Sequence, residues 1–519
     1  MTTAVTAVAP TLGDILATQR RRGDAPLLIC DAQRLSYAEA DTRSAALAQR
    51  LVGLGVGKGV HVGVLFPNGP QFVTAALAAA RIGAVVVPFS TFSTPPELRR
   101  QLADSDVRVL LAARSFRGRD YVPDLTAAIG VPLTGADPLY STDTPVLRHV
   151  LVDPDDTAAS SDEPLWTALQ DDVAGSDVLA VIYTSGSTSA PKGVVHTHAS
   201  LLRHQRNLNA IRHFTEADRL FCNSPFFWIG GFAFALLATL VAGATLICSN
   251  ATDAAETLDL IETEKPTVTN GFVAGIAHLA RHHSIGGRAL SARRGNLYPI
   301  MAPDVRPSDP QLRHNMLGMT EAGGVLLLSG DESDQPESRR GSYGFLAPEF
   351  EARIVGPEGG SVGELHVRGP LLMQGYYGRS REETFDADGW FPTGDIVRRD
   401  PDGVFYYLGR SGAMIKTAGA NVAPAEVERP LTEALSIIDS SVAVHVVGLD
   451  DADRGQIVGA VIATDDGTTF DHDTVVAALR SEVSAYKVPR RVIAVRHRDI
   501  PVLSSGKVDP AALRRLFDE

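Results

Sequence analysis

Cysteine is scarce in this chain: Cys30, Cys222 and Cys248 are the three in 519 residues, and they lie far apart. That spacing supports neither a disulfide framework nor a thiolate zinc site, so they read as small buried hydrophobes of a reducing compartment. Basic charge is not in excess either. A formal net charge of −13 argues against a non-specific nucleic-acid binder, because a polyanion needs a basic footprint. A single nucleotide needs only a local cluster of donors and stays open. Long apolar runs are lacking too. The longest stretch, residues 232–248, is interrupted by Thr239 and Gly243, so no membrane span is expected. Residues 1–10 have no basic segment and no apolar core, so no secretory signal is expected and the location expected is cytoplasmic.

What is there is ordinary for a globular protein: 44% hydrophobic and 21% charged residues, in a chain too long for one core. Residues 12–20 and 37–54 carry helical spacing, the second opened by a capping box from Ser36 to Glu39. Residues 60–66, 84–89 and 107–112 read as strands, with helices at 71–81 and 97–103 between them. Such alternation argues for parallel βαβ units with helices on both faces of a sheet. Residues 153–164 read as a solvated connection, their acidic run a soluble face rather than a metal site. Alternation resumes over 200–250 and 261–268, whereas 286–314 is rich in Arg, Pro and Gly and has no clear period.

From residue 341 the texture changes to short strands punctuated by glycine, at 352–355, 363–368 and 404–407. Strands at 440–448 and 457–463 and helices at 474–484 and 509–516 close the chain. The expected class is α/β. Residues 1–409 would form a large N-terminal domain of parallel-sheet αβ subdomains plus a β-rich subdomain. Residues 410–519 would form a small mobile α+β domain, hinged at 409–413.

One stretch concentrates the chemistry: Tyr183-Thr184-Ser185-Gly186-Ser187-Thr188-Ser189-Ala190-Pro191-Lys192-Gly193, after the apolar run Val178-Leu179-Ala180-Val181-Ile182. Small residues let backbone N–H groups approach a polyphosphate, while hydroxyls and an ammonium add donors. It is not a Walker loop, because no glycine directly precedes Lys192 and no Ser or Thr follows it. Read alone, it is also a flexible Ser/Gly turn. Four more clusters follow: Asn315-Met316-Leu317-Gly318-Met319-Thr320-Glu321, Phe391-Pro392-Thr393-Gly394-Asp395, Gly409-Arg410, and Pro501-Val502-Leu503-Ser504-Ser505-Gly506-Lys507. Each alone is a common surface turn. Their joint order is more specific.

Together they resemble the superfamily of AMP-forming adenylating enzymes, which holds acyl- and aryl-CoA ligases, peptide-synthetase adenylation domains and luciferases. Further matches are Gly363-Glu364-Leu365, Arg368-Gly369-Pro370, Gly375-Tyr376, and residues 409–428 with Lys416, Gly419, Pro424 and Glu426. The resemblance implies a two-step reaction. A small-molecule carboxylate attacks the α-phosphorus of ATP, releasing pyrophosphate, and a second nucleophile, most often CoA, then displaces AMP.

The resemblance also assigns roles. Lys507 bridges carboxylate and α-phosphate. Thr184, Ser185, Gly186, Ser187, Thr188 and Lys192 hold the outer phosphates. Thr320 meets the α-phosphate and Glu321 holds magnesium. Asp395 and Arg410 take the ribose, and Leu317 and Gly318 adjoin the base. Trp228, Gly230, Gly231, Asn270, Gly271 and Phe272 fall in the acid pocket. Gly412 stands at the hinge, with Lys416 and Gly419 brought in for the second step. A homodimer is compatible with the family.

Three positions depart from the pattern. Ser189 replaces the last glycine of the phosphate loop, Trp228 stands where histidine is common, and Leu317 replaces the tyrosine that stacks on adenine. The upstream Gly-Gly-Ala-Pro loop is missing, with Ala302-Pro303 its remnant. An acid:CoA ligase for a small or flat acid is the leading expectation. The alternatives are a relative that activates nitrite for an aromatic amine, one that loads a carrier protein, and a non-catalytic nucleotide-binding relative.

Overall fold

The apolar runs between helices become the inner strands of two sheets, as a computed structural model shows for residues 10–518 except 135–136, 155, 157–162, 185–190, 357–360, 411–413 and 503–507. Among the described residues, one sheet runs in the order Gly375–Tyr376, Lys192–Thr197, Val178–Thr184, Val85–Pro88, His61–Leu65, Val109–Ala112, His149–Val152. Val85–Pro88 is buried at every residue, as a parallel strand covered on both faces must be. A second sheet sets Arg219–Cys222, Thr245–Cys248 and Pro26–Cys30 side by side and parallel. Between the sheets lies one apolar cluster, into which the helix Pro70–Ala80 sinks with only Gln71 exposed. The Ser36–Glu39 capping box is formed, with bonds of 2.7 and 3.1 Å. All three cysteines are buried thiols, and Cys30 sits beside Cys248 on the neighbouring strand. No helix among the described residues is long and apolar enough to cross a membrane.

Three features depart from the expected pattern of elements. Lys192–Thr197 is a strand antiparallel to Val178–Thr184, with Thr184 paired to Lys192, so the hydroxyl-rich stretch joins the two arms of a hairpin. The apolar segment after residue 228 is one helix whose middle, Phe232–Leu237, is wound as a π-helix. The 286–314 region, which has no clear period, contains 3₁₀ turns at Tyr298–Ile300, Pro303–Val305 and Pro310–Leu312, each with proline at its start. Proline pre-sets the first helical residue but cannot sustain a long period.

The β-rich part is an antiparallel sheet of Glu351–Val355, Val362–Arg368, Phe391–Arg399 and Phe405–Arg410. Beyond it a separate sheet gathers Ile415–Thr417, Ala420–Val422, Ala443–Asp451, Gly455–Thr464 and Arg491–Arg496 around the helix Pro424–Leu435. Its central hairpin runs closer to its turn than the expected strands 440–448 and 457–463, with Asp450 paired to Gln456 and Asp451 to Gly455.

A short hairpin, Leu317–Met319 and Gly324–Leu328, is fixed from behind. His196 Nε2 donates to the Thr320 carbonyl at 2.7 Å, Gln205 Nε2 to Gly323 at 2.9 Å and His204 Nε2 to Val325 at 3.0 Å. Among the described residues, Nδ1 of His196 and of His204 has no hydrogen-bond partner. Burial pushes both imidazoles, and that of His198, from 6.5 down to about 4, so the folded protein holds them neutral. The unfolded chain takes up those protons first, so their contribution to stability is complete above pH 6.5 and is lost as pH falls toward 4. Thermal unfolding from about pH 8 to pH 4 should show a midpoint that falls steadily below pH 6.5, and His204→Gln should flatten that fall. A midpoint that rises on acidification over this interval contradicts the assignment.

Candidate functional site

The turn between the two arms, Thr320–Ala322, carries the hydroxyl and carboxylate singled out in the sequence. Its backbone is held by His196 from behind and by Met373, whose N–H donates to the Glu321 carbonyl at 2.9 Å. Tyr376 Oη donates to Glu321 Oε1 at 2.7 Å and fixes the carboxylate. Lys192 Nζ lies 4.9 Å from the centroid of the same tyrosine ring. The hairpin end of the hydroxyl-rich stretch and the Thr-Glu turn therefore meet through Tyr376, whose motif alone implies no such role.

A cleft of about 960 Å³ opens over this turn. Thr184, Gly318 and Thr320 line its middle, and Lys416 and Gly419 line it from the C-terminal sheet. At one end Trp228 stands at a right angle to Phe272, ring centroids 6.1 Å apart, and Trp228 touches Phe227 at 5.4 Å. Gly230, Asn270 and Gly271 face the same space. Gly231 does not: it is buried, and a Cβ there would lie 2.1 Å from the Pro225 carbonyl oxygen. Its glycine serves backbone packing behind the wall.

Two asparagines shape that wall. Asn296 accepts from the Gly271 N–H at 3.1 Å and donates to its carbonyl at 2.8 Å. Asn223 does the same for Phe272, with both bonds at 3.0 Å. Gly271 has φ +153°, and a Cβ there would meet Asn223 Oδ1 at 1.8 Å. Nothing in the sequence separates these asparagines from ordinary loop residues.

Asp395 is buried, its backbone paired with Arg410. Leu317 is buried among apolar neighbours. Tyr343, which no sequence motif marks, lines the cleft beside Leu317. Its ring lies 5.8 Å from that of Tyr407 and its N–H donates to the Phe405 carbonyl at 2.7 Å. Burial, helped by the nearby Asp395 charge, raises the Tyr343 phenol above its ordinary value. An aromatic face therefore adjoins the buried carboxylate although position 317 has no ring.

The C-terminal sheet contributes a close contact. Gly419 has φ +88°, and a Cβ there would lie 2.5 Å from Phe272 Cγ, so glycine is required both for the backbone and for the approach. Lys416 Nζ lies 5.1 Å from the Tyr407 ring centroid. Ser185, Gly186, Ser187, Thr188, Gly412 and Lys507 fall outside the described residues.

Comparison with known proteins adds a family. Residues 16–377 match the family described as AMP-binding enzyme, and residues 433–507 match the AMP-binding enzyme C-terminal domain. A feruloyl-CoA synthase of Amycolatopsis is 32% identical over 499 residues, covering 93% of this chain and 94% of the relative. The 4-coumarate–CoA ligase 5 of Oryza sativa subsp. japonica is 29% identical over 501 residues, covering 92% and 88%. In structure, the amide bond synthetase McbA from Marinactinospora thermotolerans aligns with a TM-score of 0.77 at 25% identity, covering 98% of this chain and 100% of that one.

Proposed function

This chain belongs to the AMP-binding enzyme family and is an AMP-forming acid:CoA ligase, and on that premise we propose that its acid is a flat aromatic carboxylate. The observation that carries this choice is the Trp228–Phe272 wall, rings at 90° closing one end of the cleft. Such a wall shortens the space for an extended aliphatic chain and offers a ring edge and face to an aromatic substrate. The relatives named for feruloyl-CoA and 4-coumarate support the same class.

Carboxylate and triphosphate repel, so adenylation needs positive charge and aligned donors placed in advance. Lys507 is the cation that links the acid to the α-phosphorus. Thr184, Ser185, Gly186, Ser187, Thr188 and Lys192 grip the outer phosphates, Thr320 contacts the α-phosphate, and Asp395 with Arg410 takes the ribose hydroxyls. Magnesium, when bound, offsets the charge on the triphosphate. Glu321 is the residue to hold it, its Oε1 already oriented by Tyr376. Tyr343 supplies the base-stacking face that Leu317 cannot, and its place next to Asp395 and Tyr407 supports that role.

Residues 410–519 act as a separate domain that swings about Gly412. One arrangement brings Lys507 to the phosphate. The other seats the Gly419 loop on Phe272 and serves transfer to CoA.

Pyrophosphate release, measured with ATP and magnesium against aromatic, short and long-chain acids with and without CoA, should favour aromatic acids and give the thioester. Preference for long-chain acids overturns the acid class, and turnover with an amine but not CoA overturns the acceptor. In the same assay Lys507→Ala should lower adenylation on the order of 10²-fold or more while ATP binding stays within about threefold. Gly419→Ala should slow thioester formation from preformed adenylate at least about tenfold and spare adenylation, because the added methyl strikes Phe272. Equal slowing of both steps contradicts the assignment. Tyr343→Ala should weaken ATP and AMP binding about tenfold by calorimetry, Tyr343→Phe should not, and the KM for the acid should hold. Unchanged nucleotide affinity in Tyr343→Ala removes it from the base site.

A further inference from the structure

The helix Pro95–Asp104 meets the C-terminal part of the chain through one carboxylate. Glu97 closes a capping box at the start of that helix: the Thr94 N–H donates to Oε2 at 2.9 Å, and the Glu97 N–H donates to Thr94 Oγ1 at 3.5 Å. The same carboxylate accepts from residues nearly four hundred positions away in sequence. Lys487 Nζ reaches Oε1 at 2.7 Å, Ser484 Oγ reaches Oε2 at 2.6 Å, and the Ser484 N–H reaches Oε1 at 3.3 Å. Lys487 also lies 3.5 Å from Glu426. The side chains of Glu97, Lys487 and Glu426 are only 11%, 10% and 6% exposed.

The arrangement is one-sided. Lys487 and Glu426 both belong to residues 410–519 and travel together. Glu97 stays on the opposite side with Thr94. Separation therefore strands no buried charge: the lysine keeps Glu426, and Glu97 returns to water at a helix N-terminus, where the dipole favours a carboxylate. Burial acts to raise the Glu97 carboxyl, yet Lys487, Ser484 and Thr94 together hold it below its ordinary value, whereas burial leaves Glu426 raised. Both carboxylates face the same ammonium when the two sides meet, Glu97 at 2.7 Å and Glu426 at 3.5 Å. By contrast, Arg281–Asp453 across the same junction is 60% and 56% exposed and is screened by salt. Buried, multiply bonded pairs add geometry more than stability, which suits a contact that must form and release.

We propose that Glu97 is a positioning residue for thioester formation, its clasp on Ser484 and Lys487 holding residues 410–519 where Gly419 is seated against Phe272. This rests on the reading above that the same arrangement serves the CoA step. Glu97→Gln is the informative variant, because glutamine at this helix position keeps the capping box and removes the charge. Single-turnover thioester formation from preformed adenylate and CoA should fall about tenfold, with pyrophosphate exchange within about twofold and the dissociation constant for CoA unchanged. Ser484→Ala should show a smaller loss of the same kind, and the double variant should lose less than the product of the two. Wild-type thioester formation in the same assay checks the underlying reading separately. Glu97→Gln at wild-type rate in both steps, or slowed equally in both, overturns the clasp.

Discussion

A turn that must present a hydroxyl and a carboxylate in a fixed pose has few backbone partners of its own, and here the deficit is met from behind. His196, Gln205 and His204 each donate one hydrogen bond to a carbonyl between Thr320 and Val325. The donors sit on the strand Lys192–Thr197 and the helix His198–Ile211 that follows it. The strand Lys192–Thr197, the helix after it and the Thr320–Glu321 turn thus form one braced unit. Neutral imidazoles suit such a brace, since each gives one N–H in a dry environment and leaves no charge to solvate.

The second constraint is backbone proximity. Gly271 and Gly419 approach Asn223 and Phe272 so closely that a methyl group has no place. Paired amide bonds from Asn223 and Asn296 make the 270–272 backbone rigid enough to receive another loop. A rigid wall on one side and a glycine loop on the other permit a close but separable contact. The buried Glu97–Lys487 pair adds register to that contact.

Positions 228 and 317 both line the cleft. Trp228 builds the aromatic wall with Phe272. Leu317 lines the cleft while packing against the core behind it, and Tyr343 occupies the cleft wall nearby.

Family, α/β class and the order of most strands and helices were legible in the sequence. Those rest on local signals: period, caps, glycine turns and motif order. It was silent on the antiparallel return of Lys192–Thr197, on Tyr376 beneath Glu321, on Tyr343 beside Asp395, and on Asn223, Asn296 and Glu97. Each of these acts on a partner that is distant in sequence. Hydrogen bonds and ring contacts between distant segments leave no periodic trace, because only folding brings the partners within reach. Which glycine lines the cleft and which lies behind it, as with Gly230 and Gly231, was likewise decided by tertiary packing, since identical neighbours in sequence can face opposite sides of one wall.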